Sequence, residues 1–439
     1  MIASLLLCWP FAGPTSGGPD ELASADDVPI AWVGARILPV VGPEIENGVL
    51  VIHNGVITHL GTLDATSIPA SAEVRDASHL VLIPGLVDTH SHIGEPSGAD
   101  ASAPIQPEVR VLDSIDVLSS GFMRARAGGI TTVNIMPGSG HLLSGQTVYL
   151  KLRRGKTIEE LEVARAGGAP AGGMKMANGT NSRRDPPFPG TRAKSAALVR
   201  ERYVAAREYL RKLEAAQGGG DAKAPDRDLG LEALGEVLRG ERVVHHHTHR
   251  HDDILTVLRL REEFGFRVVL HHVSDAWKVA EEIARAGVPC SIIVVDRPGG
   301  KLEALDMSWG NGAALEKAGA SVAFHTDDWI TDSQLFLRSA AIAVRAGMSR
   351  EKALAALTIE PARMLDLGDR TGSLEVGKDA DFTLLSGDPL SVYTQVLETW
   401  VEGKRVFLRS DERDRLYALG GRGAGDDFEP RSCAGEEEP

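Results

Sequence analysis

From Ile30 to about Leu80 apolar and polar residues alternate between turn signals, the period-two pattern of half-buried strands. In "GVLVIHNGVITHLG" the pair Asn54-Gly55 separates two such runs and predicts a hairpin, since both residues accept the positive φ that a two-residue turn demands. The alternation returns in "GSLEVGKDADFTLLSGDPL" and "VLETWVEGKRVF", so segments far apart in sequence are expected to close one small β-sandwich domain, residues 28–80 plus 369–408. Between them, over residues 81–368, short apolar runs such as "GITTVNIM", "FRVVLHH" and "SVAFHTD" alternate with helix-like stretches such as "SDAWKVAEEIARAG". That alternation reads as parallel βα units. Candidate strands begin at Val81, Thr131, Thr147, Met174, Val243, Val268, Ser291 and Val322, eight in all, the number that closes a (β/α)8 TIM-like barrel. The expected fold class is therefore α/β, a barrel bracketed by a sandwich made from both ends of the chain.

The remaining segments carry less structure. "GGGDAKAPDRD", Gly218 to Asp228, reads as an exposed loop. Residues 409–439, charged and Gly-rich, are expected to form a disordered tail. Residues 1–27 read as a signal or disordered leader: "MIASLLLCWPFAG" has a short apolar run followed by small residues but no basic region before it, which leaves open both a cytoplasmic location and export through an atypical signal. No segment has the roughly 20 uninterrupted apolar residues of a spanning helix. With 47 basic and 61 acidic residues the formal charge is −14, which repels phosphate backbones and argues against a nucleic-acid partner. Cys8, Cys290 and Cys433 are odd in number and far apart, giving neither a disulfide framework nor a cysteine zinc motif.

Barrel enzymes carry their chemistry at the C-terminal ends of the strands. "GLVDTHSHIGE" ends the first with His90 and His92, two apart and so on one face of an extended chain, as two ligands of one ion must be. "RVVHHHTHRHDD" ends the fifth. Period two puts His245, His247 and His249 on one face and His246 and His251 off it; His245 lies a layer deeper and His249 is already in the loop, which favours His247 as ligand. The other histidines of the run can be supporting donors, substrate contacts or polar filler. "FRVVLHHVSDA" ends in His271-His272, neighbours expected to face opposite sides, one of them inward. "SVAFHTDDW" supplies Asp327, a carboxylate able to bind an ion and take a proton from water. Each residue alone also suits a buried histidine bonded to a carbonyl or an acid capping a helix; together, at four strand ends, they suit a zinc-type ion.

With these residues the chain resembles the amidohydrolase superfamily, and within it the imidazolonepropionase-like and prolidase-like metal-dependent hydrolases. "IPGLVDTHSHIG" is similar to the family's first-strand signature, "VLHHVSDAWKVAEEIARAGVP" to its sixth unit, and "TIEPARMLDLGDRTGSLEVGKDADFTLLSGDPL" to its last helix and return to the sandwich. The resemblance implies that His90, His92 and Asp327 bind a buried divalent metal, zinc by ligand type, that His247 and His272 bind a second when two are present, and that Lys175 of "GGMKMANGTN" bridges them as a carbamate. It further implies hydrolysis of an amide or cyclic amide C–N bond in a small molecule by a metal-activated hydroxide, Asp327 passing the proton to the leaving nitrogen. A deacetylase, a deaminase or a catalytically silent homologue on the same scaffold remains open, as does a homo-oligomer.

Substrate contacts are expected from the loops. His141, Gln146 and Tyr149 follow the second strand, Asn178, Asn181, Arg183 and Arg184 follow the fourth, and His249 and Arg250 follow the fifth. An arginine among them suits a substrate carboxylate, or equally a solvated basic turn. Imidazolonepropionase-like sites expect an acid where this chain has Arg250, which speaks against that activity itself.

Overall fold

The computed structural model describes residues 28–94, 100–218, 223–295, 301–328, 330–421 and 424. One eight-stranded sheet draws on both ends of the chain. Strand Ile30–Ile37 pairs with Ile45–His53, Glu73–Asp76 and Val81–Pro84; the last of these pairs in turn with Phe382–Leu385, followed by Val396–Val401 and Lys404–Leu408. Asn54 and Gly55 join Ile45–His53 to Val56–Thr62 with φ of 49° and 80°, the doubly positive signature of a type I′ turn. In this sheet's core Phe382 stacks on Trp400 at 5.6 Å, and Trp32 meets both edge-on.

The chain then turns to βα units. The run from Val81, expected as one strand, is two. Gly85 divides it because the Thr131 side chain fills the space a Cβ would need, and Leu86–Ser91 begins a new sheet with Ile130–Ile135 and Val148–Lys151. A six-stranded sheet follows in the order Val322–His325, Cys290–Ile293, Val268–His272, Val244–Thr248, Met174–Ala177, Leu143–Gln146. Its first five strands are mutually parallel. The intervening helices form because their apolar residues recur at helical spacing: Ile254, Val257, Leu260 and Phe264 make the buried stripe of His251–Phe264, which Gly265 ends at φ 77°.

The stretch around Thr147, expected as one parallel strand, is also divided. Leu143–Gln146 runs antiparallel to Met174–Ala177, and Val148–Lys151 antiparallel to Ile130–Ile135. Thr147 Oγ1 accepts from the Gly173 N–H at 2.8 Å at the break, so each half takes a different neighbour. Between the three-stranded and six-stranded ladders the described residues show one isolated parallel bridge, Ser91 to Asp328, rather than a closed ring of strands. Polar bonds reinforce that seam: Asp88 accepts from Thr326 N at 3.1 Å and Thr326 Oγ1 at 2.5 Å, and Asp327 N donates to His90 O at 2.8 Å. The last strand end is thereby pressed against the first.

Lys151, fully buried, ties the βα part to the large sheet: its Nζ lies 3.0 Å from Asp379 and also binds Asp381. Burying an ammonium is costly unless carboxylates surround it, and this turn supplies two. Part of the expected disordered tail is ordered. Glu412–Leu419 is a helix because Asp411 caps it, accepting from Arg413 N and Asp414 N, and Asp414 reaches Arg154 at 2.9 Å. The leader, the rest of the tail, Cys8 and Cys433 lie outside the described residues. Among those described, no helix is long and apolar enough to cross a membrane.

Candidate metal centre and active site

Asp327 lies where the first and last strand ends meet. His90 Nε2 is 3.2 Å and His92 Nε2 3.0 Å from its Oδ1. His92 Nδ1 donates to the Met136 carbonyl at 2.8 Å, so a neutral His92 ring carries its lone pair on Nε2, facing the carboxylate. Two lone-pair atoms at that separation are joined by a proton or by a metal cation. His90 Nε2 converges on the same oxygen, so these three residues could hold one cation. Burial pushes the Asp327 carboxyl up, but the His92 hydrogen bond and charge, with His325 and Lys175, outweigh it and hold it at about 2, so it is ionised at neutral pH. Lys175 Nζ, wholly buried, lies 3.0 Å from His90 Nε2 and 2.9 Å from Met136 Sδ.

His247, His249 and His272 gather beside this group, with ring centroids 4.1 to 5.1 Å apart. Alternation along Val244–Thr248 sends His245 and His247 to one side; His246 faces helices 192–217 and 251–264 on the other, beside Val199 and Leu260. The expectation that only one of His271 and His272 turns inward is overturned. Val273 N donates to His271 O at 2.9 Å around His272 at φ 67°, a γ-turn of the strained kind, and Val273 follows at φ 40°. This turn breaks the alternation, and both rings pack against His90, at 5.1 and 5.0 Å. Below them Tyr149 OH bonds His245 Nε2 at 3.0 Å, and His245 Nδ1 bonds His271 Nε2 at 3.0 Å.

Three overlapping sets bring one donor atom per residue within 4.8 Å of one another: His90, His92 and Asp327; His90, His272 and His325; His247, His249 and His272. The donor chemistry fits a metal ion. His249 Nδ1 bonds Ser274 Oγ at 2.7 Å and His325 Nδ1 bonds Ser291 Oγ at 2.8 Å, while the opposite nitrogen of each ring, like His272 Nε2, is buried without a hydrogen bond among the described residues. Such nitrogens cost stability unless a ligand satisfies them. Burial first, then the charge of Lys175, holds His90 well below its ordinary value, and burial followed by Lys301 holds His249 at about 3. Both are neutral imidazoles, the form that binds metal.

The loop residues expected to meet substrate divide. His249 has joined the imidazole cluster. Tyr149 is buried in a strand beneath it, bonded to His245. Arg250 is turned onto its own helix, bidentate to Asp252 at 2.9 and 3.0 Å, and Gln146 Nε2 is spent on Pro107 O. Asn178 Nδ2 donates to Asp253 O. His141 is buried against Phe188, over whose ring Arg184 stacks at 4.1 Å, and Arg183 folds back to Gly179 O. Asn181 does reach the cluster, its Nδ2 3.1 Å from His247 Nε2. Sequence reading passed over His325, although it stands two residues before Asp327 and so shares its face.

Residues 226–407 match the model of the amidohydrolase family. The chain is 28% identical over 391 residues to amidohydrolase tasK of Hapsidospora irregularis, an alignment covering 82% of this chain but 40% of that longer relative. To an imidazolonepropionase of Rhizobium rhizogenes it is 26% identical over 377 residues, 80% of this chain and 90% of that one. The solved amidohydrolase of Thermotoga maritima MSB8 superposes with a TM-score of 0.79 at 33% identity, across 87% of this chain and 100% of that chain. The chain belongs to the amidohydrolase superfamily.

Proposed function

We propose that this chain is a metal-dependent hydrolase of amide or cyclic amide C–N bonds in a small molecule, on a (β/α)8 barrel with a β-sandwich domain formed by both ends. The convergence of His90, His92 and Asp327 on one point, with lone pairs facing a carboxylate, supports this most directly. His90, His92 and Asp327 would hold one ion, and His247 and His272, joined by His249, a second; Lys175, which lies beside His90, would add a further ligand as a carbamate. A divalent ion bound there, zinc by the liking of that metal for imidazole and carboxylate, would supply Lewis-acid chemistry toward a carbonyl and water. Asp327 takes the proton of the attacking water and gives it to the leaving nitrogen. The His92 hydrogen bond and charge, with His325 and Lys175, keep that buried carboxylate ionised. Hydrolase relatives acting on C–N bonds, among them a dihydroorotase and a probable allantoinase, agree with the bond type. Arg250, where imidazolonepropionase-like sites expect an acid, points away from that substrate.

Metal-stripped and zinc-reconstituted chain should be assayed on N-acyl amino acids, dipeptides and cyclic amides, following amine, acetate and ammonia. Zinc-dependent amine release is expected. Acetate or ammonia release identifies a deacetylase or a deaminase instead, and zinc uptake with no turnover across the panel favours a silent homologue.

A further inference from the structure

Lys301 stands outside the sets of candidate ligands yet is wired to them. Asn181, buried in the loop after Met174–Ala177, donates from Nδ2 to His247 Nε2 at 3.1 Å and accepts at Oδ1 from Lys301 Nζ at 3.0 Å. An ammonium only donates, so Lys301 dictates which way the Asn181 amide points. Amide dimensions keep Nζ within about 8 Å of the His247 ring nitrogen, roughly the span of two extended residues. The charge is felt in the cluster: after burial, Lys301 does most to depress His249.

The cations around it are also distributed unevenly. In a chain of net charge −14, nearby Arg192 pairs with Asp253 and Glu303, Arg250 with Asp252, and Lys278 with Asp275 and Asp306. Lys301, Arg183 and Arg184 have no carboxylate partner among the described residues; the arginines bond the carbonyls of Gly179 and Gly140. Of these three cations, on the segments after Met174–Ala177 and Cys290–Ile293, it is Lys301 that reaches the imidazole cluster, through Asn181. Among the described residues Nζ spends one of its three N–H bonds, on Asn181, and the others can serve a ligand. An ammonium held beside the cluster by Asn181 suits an anionic group of a bound ligand.

We propose that Lys301, oriented through Asn181, binds a carboxylate of the substrate, so that the preferred class is anionic: N-acyl amino acids, dipeptides or cyclic amide acids rather than neutral amides. The scissile bond in that class rests on the hydrolase reading above; the anion site does not. Binding of N-acetylglycine and its uncharged twin N-acetylglycinamide should be measured by calorimetry on the zinc-treated full chain, with zinc content determined on the same samples. Lys301→Met should weaken N-acetylglycine about tenfold or more and leave N-acetylglycinamide within about twofold, whereas Arg250→Gln, already paired with Asp252, should change neither. Equal weakening of both probes by Lys301→Met, or no preference for the carboxylate in the unmodified chain, overturns the proposal. Preference for the carboxylate without zinc uptake keeps the anion site and removes the hydrolase reading; zinc uptake without preference does the reverse.

Discussion

At Asp327 backbone and side chain are constrained together. Its φ of 47° is uncommon for a residue other than glycine, its N–H is fixed to His90 O, and its carboxylate faces two histidines. Asp327→Asn keeps the volume and the local hydrogen-bond geometry but cannot accept the proton of water. It should lower kcat by about 10²- to 10⁴-fold with little change in melting temperature; steady-state kinetics on folded, zinc-treated variant check this, and near-normal turnover would remove the proton-transfer role. His90, His92 and Asp327 were legible because strand periodicity and strand-end position both point at them. His271 was not, since a γ-turn one residue later cannot be read from "LHHVS". Arg250 and Arg183 were misleading for a different reason: sequence reveals a cation but not the acid or carbonyl that already engages it.

At the scale of the element, Val244–Thr248 orders the histidine run. His246 points to the outer helices and His247 to the cluster, so His247→Ala should reduce activity at least about tenfold more than His246→Ala when both are compared as folded protein. Comparable losses in the two variants would show that the alternation does not govern the site. The hydrophobic pattern identified the parallel units well because each is an apolar run followed by an amphipathic helix. It failed at Gly85 and Thr147, where a continuous apolar run conceals a change of partner strand: a Thr131 side chain packed too close for any Cβ at position 85 in one case and a hydrogen bond to Gly173 in the other, both set by residues distant in sequence.

For the whole molecule, the two ends of the chain meet in one sheet, as their shared alternation implies, and Lys151 with Asp379 and Asp381 fastens that sheet to the βα units. The "GKDADF" turn gave no hint of its buried lysine partner, because such a pair is made only once the fold is complete. The helix Glu412–Leu419 was likewise hidden, its charges reading as solvated until Asp411 and Asp414 find their backbone and arginine partners. What this assembly accomplishes is to press first and last strand ends together so that imidazoles from four segments surround one carboxylate. The central claim is that this place holds metal. Plasma mass spectrometry of the purified full chain, prepared with bicarbonate and exposed to zinc before exhaustive desalting, tests it most directly. One or two tightly held divalent ions per chain, with at least one lost when His90 and His92 are both replaced by alanine, is the expected result; a folded chain that retains no ion, or retains as much without those two histidines, would contradict it.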